Sequence, residues 1–121
     1  INENDIVADT EQRIGDNDWL ARIVAELVYA DAVLFLTRSG GVYEKDPTCN
    51  PDSRQYREID ARTALTSAWL TEGIARKMYE AVQCFAWGMR VAIAGAEEDT
   101  ILRFAAGEPV GTIIGNSVQF Y

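Results

Sequence analysis

At 121 residues, 48% hydrophobic and 25% charged, the chain is long enough for one domain with a modest core and too apolar for a disordered tail. Nineteen acidic side chains against eleven basic ones leave a net charge of −8, which argues against a nucleic-acid partner and against a membrane partner, both of which favour a basic face. No histidine occurs, so Ser-His-Asp, Cys-His and His-metal chemistries have no local material.

Residues 1–18 are polar and acidic, with Glu3, Asp5, Asp9, Glu11, Asp16 and Asp18 against the single Arg13. Trp19, Leu20, Ile23, Val24, Leu27 and Val28 then fall at helical spacing, which predicts an amphipathic helix ending near Ala30. Ala32-Val33-Leu34-Phe35-Leu36 is a continuous apolar run of strand length, the pattern of a strand covered on both faces. Arg38-Ser39-Gly40-Gly41 breaks the structure, and Asp46-Pro47 and Asn50-Pro51 prolong a loop. A second helix is expected from about Asp60, carrying Ala64, Leu65, Ala68 and Trp69. A third follows Thr71, with Ile74, Met78, Ala81, Val82 and Phe85 as its stripe and Gly88 as its stop. Arg90–Ala94 reads as another buried strand, Glu97–Ala106 as a short helix closed by Gly107, and Val110–Ile114 as a last strand. Helix and strand alternate, so the fold class is α/β, a mostly parallel sheet flanked by helices.

No apolar run approaches the roughly 20 residues of a membrane span, and no signal peptide is visible. The two cysteines, Cys49 and Cys84, show neither metal spacing nor a disulfide framework, and Cys84 lies in an apolar helical run that reads as core. A cytoplasmic location is the simplest expectation.

Ligands of open parallel sheets sit beyond the carboxyl ends of the strands, usually at helix N-termini. Three segments fit such a rim. Gly15-Asp16-Asn17-Asp18 opens the first helix. Thr37-Arg38-Ser39-Gly40-Gly41 follows the first strand, and its glycines allow close backbone approach. Thr71-Glu72-Gly73-Ile74-Ala75-Arg76-Lys77 opens the third helix. Helical side chains lean toward the N-terminus, so Lys77 can swing its ammonium back to where helix amides would hold a phosphate. Its plainer reading is a solvated lysine on a helix edge. The acids of the first segment equally allow several readings: Asp16 and Asp18, with Asp5 and Asn17, could hold Mg²⁺, orient a cation, or cap and solvate. No glycine and terminal glutamate of a calcium loop follow them.

INEND at 1–5, IGDND at 14–18, ADAVLFLTRSGGVYEKDP at 30–47, TEGIARK at 71–77 and GEPVGTI at 107–113 occur in an order and spacing that resemble the glutamate 5-kinase family, within the amino acid kinase superfamily. The resemblance runs over nearly the whole chain. It corresponds to the C-terminal, nucleotide-binding half of the kinase domain, so residues 1–121 are expected to form that ATP-binding portion with no second domain. It implies ATP-dependent phosphorylation of the glutamate γ-carboxylate to glutamyl 5-phosphate, the first step of proline synthesis, with Mg²⁺ bridging phosphate oxygens. Asn2, Asp5 and Asn17 would lie at the glutamate site. Asp18, helped by Asp16, would orient the lysines that neutralise the transferring phosphoryl group. Thr37 and Arg38 would flank the nucleotide, and Thr71, Glu72, Gly73, Ile74, Ala75, Arg76 and Lys77 would cover its phosphates. Two positions depart from the family pattern: Arg38 replaces a usual aspartate, and Glu72 replaces the first of two glycines.

On this resemblance the chain is a kinase portion, active only with its other half. Two other readings stand beside it: a truncated or divergent nucleotide-binding module without catalysis, and an acetylglutamate-, aspartate- or uridylate-kinase-like member, against which INEND speaks. A sheet cut through its middle exposes an apolar strand edge, which predicts a homo-oligomer or association with the missing N-terminal half.

Overall fold

The computed structural model describes residues 17–67 and 72–121. In chain order these form α1 (Asn17–Leu27), β1 (Ala32–Leu36), β2 (Tyr56–Asp60), α2 (Ala61–Thr66), α3 (Glu72–Ala86), β3 (Arg90–Ala94), α4 (Glu98–Ala105), β4 (Thr112–Gly115) and β5 (Gln119–Phe120). The strands make one sheet in the order β1-β3-β4-β2-β5. Its longest ladders are parallel, with Ala32–Leu36 of β1 opposite Arg90–Ala94 of β3 and Glu58–Asp60 of β2 opposite Ile113–Gly115 of β4. Short antiparallel ladders join β3 to β4 and β2 to β5.

Helices flank both faces. Ala25 of α1, Ala64 of α2 and Met78, Ala81, Val82 and Cys84 of α3 pack on one face with Phe35, Val91, Ile93, Ile59 and Ile114. Phe104 of α4 and Val110 pack on the other, against Ala92, Ala94, Ala32 and Leu34. Alternate residues of β3 thus belong to opposite clusters, as a strand buried on both faces requires. β1 has the same alternation, but it is an edge strand among the described residues, and Leu36 at its end is exposed. The sequence expectation of full cover therefore holds for β3 and only partly for β1.

Three helices stop in one way. After α3 and α4, Gly88 and Gly107 adopt φ of +92° and +88°, and the next residue's N–H bonds five residues back, Met89 to Cys84 O and Glu108 to Arg103 O. That is the Schellman closure, which glycine enters without steric cost. α1 closes identically, with Ala30 N–H on Ala25 O, but the left-handed position is held by Tyr29 at φ 55°. No glycine marked that stop, and α1 ends at Leu27 rather than near Ala30. At the same end of the molecule Leu27, Val28, Tyr29 and Trp87 are exposed.

Two further boundaries differ from expectation. The second helix begins as predicted, with Asp60 accepting from Thr63 N–H at 2.8 Å as its N-cap, but it stops at Thr66; Ala68 and Trp69 lie outside the described residues. The last predicted strand begins at Thr112, because Gly111 turns the chain at φ +53° before pairing starts. β2 and β5 have no counterpart among the predicted elements. Tyr-Arg-Glu-Ile-Asp has no apolar run, and β5 is only two residues long.

Candidate functional site

α1 spans about 16 Å and β1 about the same, and only residues 28–31 separate them, so the chain doubles back. The turn 87–89 does likewise between α3 and β3. The N-termini of α1 and α3 therefore lie at the end of the sheet where the parallel strands β1 and β3 terminate.

Beyond those strand ends lies an open cleft of about 470 Å³ bordered by Leu36, Thr37, Arg38, Ala96 and Glu97. The loop after β1 is held on both sides. Thr37 N–H donates to Ala94 O at 2.8 Å, continuing the β1–β3 ladder, and Val42 N–H donates to Thr112 Oγ1 at 2.8 Å. Between these anchors the Ser39 hydroxyl donates to Gly41 O at 2.8 Å, and from just beyond them the Tyr43 hydroxyl reaches back to Ser39 O at 3.4 Å. Arg38 is exposed at the cleft border.

Where α1 packs on α3, Lys77 Nζ donates to Asp18 Oδ1 at 2.7 Å, with both side chains less than one-fifth exposed. One turn further along, Arg22 Nε donates to Glu80 Oε2, and its Nη1 donates to Glu26 Oε1 at 2.9 Å. Glu80 is buried, at 5% exposure. Burial pulls against the Arg22 charge, but the bonds to Glu80 and Glu26 prevail and raise its guanidinium above the usual value.

Asp18 and Lys77 are thus brought together across 59 positions of sequence. Asn17 begins α1 and is exposed. Gly73, Ile74, Ala75 and Arg76 lie in the opening turns of α3, and Ile74 packs against the main core, so its side chain is committed to packing. Glu72 is the first residue of α3. Asn2, Asp5, Asp16 and Thr71 lie outside the described residues. Sequence reasoning missed Ala96 and Glu97 at the cleft, Thr112 beneath its loop, and the Arg22–Glu80 pair. The pair had a legible signal, since Arg22 is four residues from Asp18 and Glu80 three from Lys77, each of opposite sign.

A model of the amino acid kinase family matches residues 1–95. The chain belongs to the amino acid kinase family. It is 39% identical over 127 residues to "Glutamate 5-kinase" of Delftia acidovorans, covering 94% of this chain and 32% of that protein. It is also 39% identical over 122 residues to "Glutamate 5-kinase" of Caldanaerobacter subterraneus subsp. tengcongensis, covering 93% of this chain and again 32% of the relative. The chain therefore spans about a third of the length of the curated relatives it matches. Among solved structures, the UMP kinase of Bacillus anthracis superposes with a TM-score of 0.74 at 20% identity, over 93% of this chain and 46% of that one. The T. acidophilum isopentenyl phosphate kinase product complex superposes with a TM-score of 0.65 at 27% identity, over 83% and 39% of the two chains. These likenesses fit the mixed, mostly parallel sheet described above.

The remaining nucleophiles divide by burial. Burial in the α1–α3 interface pushes the Cys84 thiol up to about 11, whereas Cys49 is exposed. Burial thus keeps Cys84 in its unreactive thiol form at neutral pH. A chromogenic disulfide should therefore titrate Cys49 rapidly in the folded chain, and Cys84 only on unfolding; two equally fast thiols would contradict the packing described.

Proposed function

We propose that this chain is the ATP-binding, C-terminal portion of a glutamate 5-kinase domain, and that it transfers the γ-phosphoryl group of ATP to the glutamate γ-carboxylate together with the part of the domain its relatives carry beyond the matched third. The observation that carries this reading is the Asp18–Lys77 contact at the rim where β1 and β3 end, on residues from two of the motifs that define the resemblance. The two relatives named glutamate 5-kinase, each at 39% identity, supply the substrate.

In this reading the glutamate carboxylate is already ionised and attacks phosphorus directly, so no base is required. One P–O bond forms to the carboxylate oxygen, the bond to the departing ADP breaks, and no proton moves. Catalysis is then positioning plus neutralisation of charge. Asp18 holds the Lys77 ammonium at the rim, and Lys77 meets the phosphate oxygens when the nucleotide occupies the cleft beside Thr37 and Arg38. Among the described residues no group of three or more carboxylate, thiol or imidazole side chains could hold a metal ion. In this reading Mg²⁺ would arrive with the nucleotide and help neutralise its phosphates. Among the described residues no helix is long and apolar enough to cross a membrane.

Trp19 adjoins Asp18 and serves as the reporter. Titration with MgATP should change tryptophan fluorescence saturably below a few millimolar, and adenosine should bind more weakly because it lacks the groups Lys77 meets. No response to millimolar MgATP would remove the nucleotide site from this chain.

A further inference from the structure

Asp18 and Arg22 on α1 and Lys77 and Glu80 on α3 make a four-charge cluster with two possible pairings. Within each helix, Asp18 could take Arg22 at four residues' separation, and Lys77 could take Glu80 at three; both spacings bring side chains together. The structure instead pairs across the helices, Lys77 with Asp18 and Arg22 with Glu80. The two pairings leave Lys77 in different places. Facing Asp18, its ammonium lies toward the N-terminus of α1. Facing Glu80, it would be drawn one turn down α3, away from the rim.

What selects the observed pairing is the buried carboxylate. Glu80 is 5% exposed, so water cannot compensate its charge and it takes whichever cation is nearest. Arg22 is held in place for that task, since Glu26, four residues further along α1, fixes its Nη1 at 2.9 Å while Nε serves Glu80. A guanidinium can serve two carboxylates at once through its fork of donors; an ammonium on a flexible stem has no such geometry. We propose that Arg22 is a positioning residue: by occupying Glu80, it denies Lys77 its nearest alternative anion and keeps the Lys77 ammonium on Asp18, where it can meet a nucleotide's phosphates. This rests on the nucleotide-binding role given to Lys77 above.

Substitutions at Arg22 and Glu80 should therefore act non-additively. Arg22→Ala should weaken MgATP binding about tenfold, roughly 1.4 kcal/mol, while leaving adenosine binding unchanged, because Glu80 then captures Lys77. Adding Glu80→Gln should restore MgATP affinity to within about twofold, since the competing charge is gone. A purely structural role for Arg22 predicts the opposite, the double variant being at least as impaired as the single one. If Arg22→Ala does not fold, Arg22→Gln keeps the stem and a donor and is read in the same cycle.

A second measurement needs no nucleotide. Only Lys45 and Lys77 occur in the chain, so their ε-methylene NMR signals are readily told apart. The Lys77 signal should be that of an immobilised group, should shift in Arg22→Ala, and should return in the double variant. If MgATP fails to bind the unmodified chain but the Lys77 signal follows this course, the nucleotide reading falls and the positioning stands. If MgATP binds and the Lys77 signal ignores Arg22, the positioning is overturned.

Discussion

Replacing Lys77 with alanine should weaken MgATP binding by about ten- to a hundredfold and leave adenosine binding unchanged, because a charge-assisted bond to phosphate is worth about 1.5–3 kcal/mol. The geometry argues for a specific loss. The side chain is 17% exposed and Asp18 19%, so the pair is partly dehydrated yet opens at the helix N-termini. Without Lys77, Asp18 can still be hydrated, and the fold should lose little stability. Lys45→Ala is the control. It removes the only other lysine and the same unit of charge, from the loop after β1, and any general screening effect would appear in both variants. Asp18→Asn should give an intermediate loss, since Lys77 keeps its charge but not its anchor. Isothermal titration with ATP, ADP and adenosine separates these cases; equal losses for ATP and adenosine in Lys77→Ala would place the lysine outside the phosphate contacts.

The elements legible in the sequence were those whose burial is local in origin. Ala32–Leu36 and Val91–Ala94 are unbroken apolar runs because alternate residues of β1 and β3 pack into the clusters on opposite faces of the sheet, and the observed bounds of both strands match the reading. The stripe of Ile74, Met78, Ala81, Val82 and Phe85 likewise marked α3, since each of these residues joins or packs on the main core. β2 was not legible, because its stability is supplied by residues remote in sequence. Tyr56 stacks on the Phe120 ring with centroids 4.7 Å apart, Arg54 lies over that same ring at 3.9 Å, and Glu58 accepts from Ser117 N–H at 2.8 Å. None of those partners lies within 50 residues of the strand, apart from Arg54. The candidate site divides in the same way. Thr37–Gly41 and the opening of α3 could be placed at a strand end and a helix start from local pattern alone. The meeting of Asp18 with Lys77 depends on α1 packing beside α3, and that register is visible only once the helices are docked.

Thr112→Val should destabilise the chain by roughly 2–4 kcal/mol, lowering the melting temperature by about 10 °C, although the two side chains have nearly the same shape. Thr112 is fully buried, and its hydroxyl accepts from Val42 N–H at 2.8 Å while donating to Tyr56 O at 2.7 Å. One oxygen thus ties the loop after β1 to the first residue of β2 from within β4. Valine fills the same space and leaves no cavity, so the cost is that of a buried N–H and a buried carbonyl without partners, about 1–3 kcal/mol each. Thr112→Ser restores both bonds and removes only a methyl group, so it should cost about 1 kcal/mol. Urea unfolding with unchanged slope would measure both, and Val costing no more than Ser would show that packing rather than hydrogen bonding holds the junction. The two variants also connect the core to the site. Val42 N–H is the far anchor of the loop whose near anchor is Thr37 N–H on Ala94 O, and the cleft lies against that loop. Well below its melting temperature, Thr112→Val should therefore bind both MgATP and adenosine less tightly, by a common factor, because the loop that borders the cleft is no longer held at its Val42 end. That pattern differs from the phosphate-selective loss expected of Lys77→Ala, so one titration series distinguishes a residue that shapes the cleft from one that meets the phosphates.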